Sequence, residues 1–146
     1  MSTTTTRVIR AALPSDRDAL AALYRRCRRL AEWLPASERA RANFDRDTKG
    51  EDIFVAIGEE GTLDGFVSVC GPECFVHHLY VRPEARRQGV ANALLESLAG
   101  RFAFPWRLKC VRVNAAALEF YGRRGWKEIA SGMGIQGEYA MLELRK

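Results

Sequence analysis

The spacing of apolar residues changes along the chain and predicts an alternation of helices and strands. A spacing of three and four residues predicts a first helix that begins at a capping-box pattern, residues 15–18, and ends before Pro35. Its apolar positions are Leu20, Leu23, Cys27, Leu30 and Leu34. The arginines interleaved with them, which we interpret as a solvated basic face, are Arg25, Arg26, Arg28 and Arg29. A shorter helix is predicted over about residues 37–43.

Runs of β-branched and aromatic residues, separated by turn residues, predict the strands. These are residues 7–11, 53–57, 65–69, 75–81, 108–113, 127–131 and 139–144. Two further helices are predicted, one from about residue 90 to Gly100 and one over residues 115–123. Early helices, a central antiparallel run and a strand–helix–strand ending together predict a mixed α/β (α+β) layer.

Length and composition favour a single folded unit. With 146 residues, 47% of them apolar, the chain can bury a core, and we expect one domain over residues 7–146 after a disordered tail, residues 1–6. No apolar run approaches the roughly 18 residues that span a bilayer, and no secretory pattern is present. We predict a cytoplasmic protein without a membrane partner. Its cysteines should be reduced, with Cys27 and Cys110 in the core.

One segment between a strand and a helix has the features of a phosphate-binding loop. Residues 86–91 read Arg-Arg-Gln-Gly-Val-Ala and precede apolar residues at helical spacing. The free N–H groups of a first helical turn converge on one point, where the helix dipole favours an anion. Gly89 allows a phosphate to approach closely. No Gly-Lys-Ser/Thr follows, so this is not a nucleoside-triphosphate loop.

A second glycine pattern, G-x-G-x-x-G over residues 132–137, predicts a hairpin turn rather than a dinucleotide site. A dinucleotide fingerprint follows a strand and opens a helix, and this segment does neither. A glycine-rich turn between two strands is the simpler interpretation.

Two motifs together resemble the GNAT superfamily of acyl-coenzyme A N-acyltransferases. Arg86, Gly89 and Ala91 meet the family's loop pattern Q/R-x-x-G-x-G/A. Residues 114–126 are similar to N-x-x-A-x-x-F-Y-x-x-x-G-F/W, with Trp126 at the last position. The two motifs occur in the family's order, and the resemblance extends from about residue 7 to the end of the chain.

The resemblance implies a GNAT-like fold, in which helices flank a central mixed, mostly antiparallel sheet. Two central parallel strands, here 75–81 and 108–113, are expected to splay apart and to admit acetyl-coenzyme A as co-substrate. The residues that match the family's cofactor-binding positions are Leu79, Tyr80, Val81, Arg86, Arg87, Gln88, Gly89, Val90, Ala91, Asn92, Asn114, Ala117 and Tyr121.

The resemblance also implies direct attack of an amine on the thioester. The main chain of Leu79 and Val81 would pair with the pantetheine arm, and the Leu79 N–H would donate to the thioester carbonyl. Tyr121 matches the tyrosine that protonates the departing thiolate, and tyrosines are protonated at neutral pH. The alternative for Tyr121 is an aromatic side chain that only packs. Asn114 should cap its helix and reach the cofactor.

The attacking amine must lose a proton, and His77 and His78 are the two histidines of the chain. Adjacent strand residues point to opposite faces, so we expect only one of them in the cleft. His77 has the strand parity of Leu79 and matches a histidine of the arylalkylamine members, while Phe75 stands where many members have an acid. We favour His77 as base. His78, a structural role and a water chain to solvent remain alternatives.

The histidines also lie close to two cysteines in the chain, which raises the question of zinc. The spacing C-x3-C-x2-H-H in Cys70, Cys74, His77 and His78 places two ligands on opposite strand faces, whereas four-coordinate zinc needs convergent ligands. We predict no metal site.

Positive charge is concentrated in the part of the chain that contains both motifs. Residues 82–127 carry ten Lys or Arg against three Glu, which leaves +7, and the remaining 13 against 15 leave −2, within a total of +5. A phosphate-rich cofactor suits this patch. Nucleic acid is the competing partner, and we predict none because no recognition motif accompanies the charge.

The resemblance places the amine acceptor near residues 24–50 and 131–139. Acidic side chains there could attract an amine, although a solvated loop explains them equally well. They are Asp45, Asp47, Glu51 and Asp52. A small-molecule amine and a protein or peptide amine both remain open as acceptors, as does a homodimer. We predict an N-acetyltransferase; the alternative is a catalytically silent GNAT-like coenzyme A-binding or regulatory protein.

Overall fold

Seven strands form one sheet in a computed structural model of the protein, which describes residues 7–146. They are β1 Val8–Ala11, β2 Asp52–Ile57, β3 Leu63–Cys70, β4 Phe75–Val81, β5 Trp106–Val111, β6 Lys127–Gly134 and β7 Gly137–Leu144. Their order is β1-β2-β3-β4-β5-β7-β6, and only β4 and β5 pair in parallel. The predicted mixed, mostly antiparallel sheet is confirmed. The predicted tail, residues 1–6, lies outside the described residues.

Five α-helices flank this sheet within the described part of the chain. They are α1 Arg17–Leu30, α2 Ala36–Ala40, α3 Phe44–Asp47, α4 Val90–Glu96 and α5 Ala115–Arg123. The last helix has the predicted bounds, and α4 begins at the predicted residue but ends at Glu96 rather than at Gly100. No helix of residues 7–146 has the length and hydropathy to cross a membrane.

The N-terminal helical region differs from its prediction in three ways. The helix ends at Leu30 rather than before Pro35, and the helix predicted at residues 37–43 is replaced by the shorter α2 and α3. The predicted capping box is also wrong, because the Asp16 carboxylate accepts from the Leu13 N–H (2.7 Å) and caps a short 3-10 turn before α1. Arg28, predicted to be solvated, is buried.

The C-terminal strands differ from their predicted bounds. β5 covers Trp106–Val111 rather than residues 108–113, because Trp106 and Arg107 pair with the end of β7 and the pairing stops at Val111. β6 and β7 pair as far as Gly134 and Gly137, so the second glycine pattern is the hairpin turn that the sequence predicts.

Strand alternation divides the core into two clusters, one on each face of the sheet. Val55 and Phe66 face α1 and α3, whereas Phe54 and Val67 face the cluster that includes α4 and Tyr121 of α5. Other residues of the two clusters include Cys27 on the α1 face and Cys110 on the α4 face, which confirms that both cysteines are buried. All four cysteines are free thiols.

The parallel strands at the centre of the sheet separate almost at once. β4 and β5 pair only at Phe75 and Arg107, near their starts. Further along β4, the edge that faces β5 has no strand partner. The predicted splaying of these two strands therefore positions the site described next.

Candidate functional site

Two cavities open at the gap between β4 and β5 and meet at its centre. One has a volume of about 360 Å³ and reaches the turn of the β6–β7 hairpin; we call it the hairpin cavity. The other has a volume of about 640 Å³ and follows the loop of residues 85–92; we call it the loop cavity. Both are lined by Trp33, Leu79, Tyr80, Asn114, Ala117 and Tyr121. Molecules bound in the two cavities can therefore touch at these residues.

More than half of the residues that line the loop cavity are ones that the resemblance assigned to cofactor binding. Those that line it are Leu79, Tyr80, Val81, Arg86, Arg87, Gly89, Val90, Ala91, Asn92, Asn114, Ala117 and Tyr121. Gln88 is the exception, since its side chain accepts a hydrogen bond from Arg7 and donates to the Glu84 carbonyl. The structure thus brings together two motifs that lie far apart in the sequence.

A left-handed backbone gives the loop its shape. Gly89 has φ +79° and is the N-cap of α4, and Arg87 has φ +63°. A Cβ atom at Gly89 would meet no atom within 4 Å. Glycine is therefore favoured here by its backbone conformation and by the open space that it leaves to a ligand, not by crowding in the protein.

Three arginines surround the loop cavity, and the sequence analysis identified only two of them as binding residues. Arg124, the third, donates to the Asn92 side chain (3.0 Å) and lies 3.8 Å from the centre of the Phe120 ring. Phe120 and Arg124 are four residues apart, which places them on one side of the end of α5. This spacing is the feature of the sequence that could have identified Arg124 as a binding residue. The cluster of Arg86, Arg87 and Arg124 makes this cavity suitable for phosphates.

Two residues of the second motif occupy the junction of the cavities. The Asn114 side chain accepts from the Ala117 N–H (3.3 Å), which confirms that Asn114 caps α5. Tyr121 is buried, and its ring packs edge-on against Trp126 at 5.5 Å. Burial raises the pKa of Tyr121, so its hydroxyl keeps its proton at neutral pH.

Both histidines line the hairpin cavity, so the prediction that only one of them faces the cleft is wrong. Ser68 pairs with His78 and Val69 pairs with Val76, which leaves His77 as the extra residue of a β-bulge. The bulge breaks the alternation of side chains, and the two rings lie 3.9 Å apart. Burial and the nearby His77 lower the pKa of His78 to about 4, so His78 is neutral at neutral pH.

Glu51, which the sequence analysis named only as one of four acidic residues that could attract the amine, is a functional candidate in a different role. Its side chain is 6% exposed and pairs with His77 Nδ1, and it accepts from the Cys70 thiol at 3.3 Å. Its Oε1 has no partner among the described residues. Only the position of Glu51 beside the start of β2 in an acidic stretch could have suggested it, because the contact with His77 spans 26 residues.

The remaining acidic side chains do not form a common site. Asp45 pairs with Arg17, and Asp47 accepts from the Tyr24 hydroxyl at 2.8 Å. Neither Asp45, Asp47 nor Asp52 lines the hairpin cavity. The suggestion that an acidic cluster attracts the amine therefore receives no support from the described residues.

One group of side chains has the composition of a metal site. Glu51, His77 and His78 each offer a ligand atom, and these atoms lie within 4.8 Å of one another. Cys70 and Cys74 are not part of this group, so the described residues do not assemble the C-x3-C-x2-H-H set. The expectation of no metal stays a prediction.

The family of the chain follows from a comparison with protein families. The model of the Acetyltransferase (GNAT) family matches residues 17–126, which contain both motifs and most of the two cavities. The chain belongs to this family of acetyltransferases. No curated protein sequence matched the chain closely enough to be reported as a relative.

Solved structures share the fold at low sequence identity. YjaB from Escherichia coli in its apo form has a TM-score of 0.76 and 20% identity, over 94% of this chain and 97% of its own. An N-acetyltransferase from Staphylococcus aureus Mu50 has a TM-score of 0.70 and 21% identity, over 95% of this chain and 98% of its own. A ribosomal-protein-alanine N-acetyltransferase from Brucella melitensis has a TM-score of 0.66 and 22% identity, over 94% of this chain and 98% of its own. These likenesses show the GNAT fold and no substrate.

Proposed function

We propose that the protein is an N-acetyltransferase that transfers the acetyl group of acetyl-coenzyme A to a primary amine by direct attack in a ternary complex. The observation that carries the proposal is the meeting of two cavities at Leu79 and Tyr121. Two substrates can be bound together there with their reacting groups in contact, as direct transfer requires.

The loop cavity suits coenzyme A in charge and in backbone chemistry. Arg86, Arg87 and Arg124 provide cationic donors for the phosphates. The unpaired edge of β4 offers main-chain groups at Leu79 and Val81 to the amide groups of a pantetheine arm, as a neighbouring strand would.

The reaction then needs little beyond the groups at the junction. The amine nitrogen forms a bond to the thioester carbonyl carbon, and the C–S bond breaks. The Leu79 N–H stabilises the negative charge that develops on the carbonyl oxygen. The thiolate takes the hydroxyl proton of Tyr121, whose raised pKa keeps it protonated until then.

His77 is our candidate for the base that takes the proton from the amine. It lines the hairpin cavity, and the Glu51 carboxylate holds its Nδ1, which leaves Nε2 available to the amine directly or through water. Glu51 acts as a positioning residue, because it contacts the base and not the substrate.

A covalent acyl-cysteine route is less well supported. Cys110 is the cysteine that lines the hairpin cavity, and burial raises its pKa to about 11. A thiol that stays protonated is a poor nucleophile. This favours direct attack by the amine.

The proposal is tested by titration calorimetry with coenzyme A, followed by detection of thiol release from acetyl-coenzyme A across a broad panel of amines. We expect binding at micromolar concentrations and release with at least one amine class. Absence of binding at tens of micromolar would contradict the proposal. Tight binding without thiol release from any amine would instead favour the silent coenzyme A-binding protein.

A further inference from the structure

The hairpin cavity has an unusual charge for a site that receives an amine. Among the residues of 7–146 that line it, Arg28 and Lys109 are the strong cations, and none is an aspartate or glutamate. Glu51 lies behind His77 and is paired with it. A polycation, or an amine without any other charge, would meet two cations here and no carboxylate among the residues that line the cavity.

Arg28 is the most informative of these cations, because it is only 5% exposed. Its Nη2 donates to the Glu38 carbonyl at 2.9 Å and forms a long ion pair with the Glu38 carboxylate at 3.9 Å. Its Nε has no partner among the described residues. A guanidinium buried with an unused donor is costly unless an anion completes its hydrogen bonds.

The shape of the guanidinium indicates which anion this would be. Its planar donors match a carboxylate or a phosphate, each of which can accept two hydrogen bonds at once, and the carboxylate is the smaller of the two. Lys109 lies on another wall of the cavity, 4.8 Å from the centre of the Tyr139 ring, and adds positive charge without occupying the same position.

The other walls of the cavity are apolar or aromatic. Trp33, Phe75, Tyr139 and Ile135 line it, and Ile135 at the hairpin turn is 81% exposed although it is apolar. The volume of about 360 Å³ must also contain the acetyl end of the co-substrate, so the acceptor is small.

We propose that the acceptor is a small amine that also bears a carboxylate and an apolar side chain, that is, an amino acid or a closely related amino carboxylate. Arg28 binds its carboxylate, the aromatic walls hold its side chain, and its amine lies toward His77. This inference rests on the proposed function, but it concerns only which amine is used.

Matched substrate pairs test the carboxylate directly on the unmodified protein. Phenylalanine, tryptophan and leucine are compared with 2-phenylethylamine, tryptamine and 3-methylbutylamine, which lack only the carboxylate, and spermidine serves as a polycation. We expect kcat/KM to be at least tenfold higher for at least one amino acid than for its decarboxylated partner. Equal or better use of the amines or of spermidine would overturn the inference and leave N-acetyl transfer intact.

Two variants of α1 then test whether Arg28 causes the preference for a carboxylate. Arg28→Gln should lower kcat/KM about tenfold to a hundredfold for the amino acid and leave the decarboxylated partner nearly unchanged. Arg25→Gln, an exposed arginine one turn earlier, is the matched control and should change neither. An equal loss for both members of a pair would assign Arg28 to structure alone and overturn its role.

A binding measurement covers the case in which none of these compounds is turned over. The melting temperature of the coenzyme A-loaded protein should rise more with the amino acid than with its partner, and Arg28→Gln should remove the difference. No difference in turnover or in melting temperature for any pair would overturn the inference. Failure of the proposed function would look different: the protein would not bind coenzyme A, or would bind it without thiol release from any amine.

Discussion

The loop cavity and the hairpin cavity share one gap in the sheet but are built in different ways. The loop cavity is made mainly of residues 85–92 and of α5, and much of what it offers is main chain and arginine. The hairpin cavity combines side chains from segments that lie between α1 and β7, such as Arg28, His77 and Tyr139. The loop cavity coincides largely with two sequence motifs, whereas most of the hairpin cavity lies outside them.

This difference follows from what each cavity would recognise. A phosphate group is satisfied by N–H groups and cations, which a short loop before a helix supplies in a fixed arrangement. An acceptor amine is distinguished by the shape and charge of its own substituents, so its site depends on side chains that the fold brings together. The first kind of site leaves a motif in the sequence, and the second does not.

The largest effect is expected where the cavities meet. Tyr121→Phe removes one hydroxyl and keeps the ring, so packing against Trp126 should survive while thiolate protonation is lost. We expect kcat to fall by about 10² to 10⁴ with little change in coenzyme A affinity, measured by steady-state kinetics and calorimetry. Tyr24→Phe is the control, since Tyr24 is buried outside both cavities and donates to Asp47. A normal kcat in Tyr121→Phe would show that solvent protonates the thiolate.

The loop cavity alone should respond to a substitution at Gly89. A leucine there has space in the protein, but it must adopt a left-handed backbone and would occupy the place of the phosphates. We expect coenzyme A affinity to fall at least about tenfold, which is about 1.4 kcal/mol, as measured by calorimetry.

Gly61 provides the matched control for that experiment. It has φ +75°, it is equally free of neighbours, and it lies in the β2–β3 turn. Gly61→Leu should therefore cost a similar strain, about 1–2 kcal/mol of unfolding free energy, without any effect on coenzyme A. Equal affinity losses in both variants would mean that strain, and not ligand contact, explains the result.

The same contrast explains how much the sequence alone could predict. The sheet, the start of α4, α5 and more than half of the residues that line the loop cavity follow from periodicity and two motifs, because each motif is a continuous stretch of the chain. Glu51 and Arg28 could not be assigned in this way. The contact of Glu51 with His77 spans 26 residues, and the burial of Arg28 depends on how α2 folds back onto α1.

The bulge in β4 shows a second limit of sequence reasoning. Strict alternation placed His77 and His78 on opposite faces, and this would hold in a regular strand. The extra residue exists because β3 supplies one residue fewer between Ser68 and Val69, which is a property of the pair of strands. Nothing in β4 by itself indicates it.

A smaller effect is expected from the residue that positions the base. Glu51→Gln keeps the size of the side chain but removes the charge that holds His77, so kcat should fall about tenfold while the KM for acetyl-coenzyme A stays unchanged. Asp52→Asn changes the adjacent, exposed carboxylate and should have no effect on either. If Glu51→Gln lowers only the melting temperature and leaves kcat unchanged, Glu51 has a structural role and His77 loses its support as base.

The smallest effect that we expect is on stability, and it comes from His78, the buried histidine of the hairpin cavity. Because burial and His77 lower the pKa of His78 to about 4, the unfolded chain binds a proton at His78 more readily than the folded protein does. The contribution of neutral His78 to the free energy of unfolding is fully present above about pH 6.5 and is lost as the pH falls toward 4. The melting temperature of the wild type should therefore fall by a few degrees between pH 7 and pH 4.5, and less in His78→Asn.

Paired carboxylates act at lower pH: burial raises the pKa of Asp64, but hydrogen bonds from Arg82 and Arg7 outweigh it and lower the pKa below its usual value. A decline of equal steepness in both proteins over this range would show that His78 is not the group that titrates, and would leave the acid sensitivity to the carboxylates.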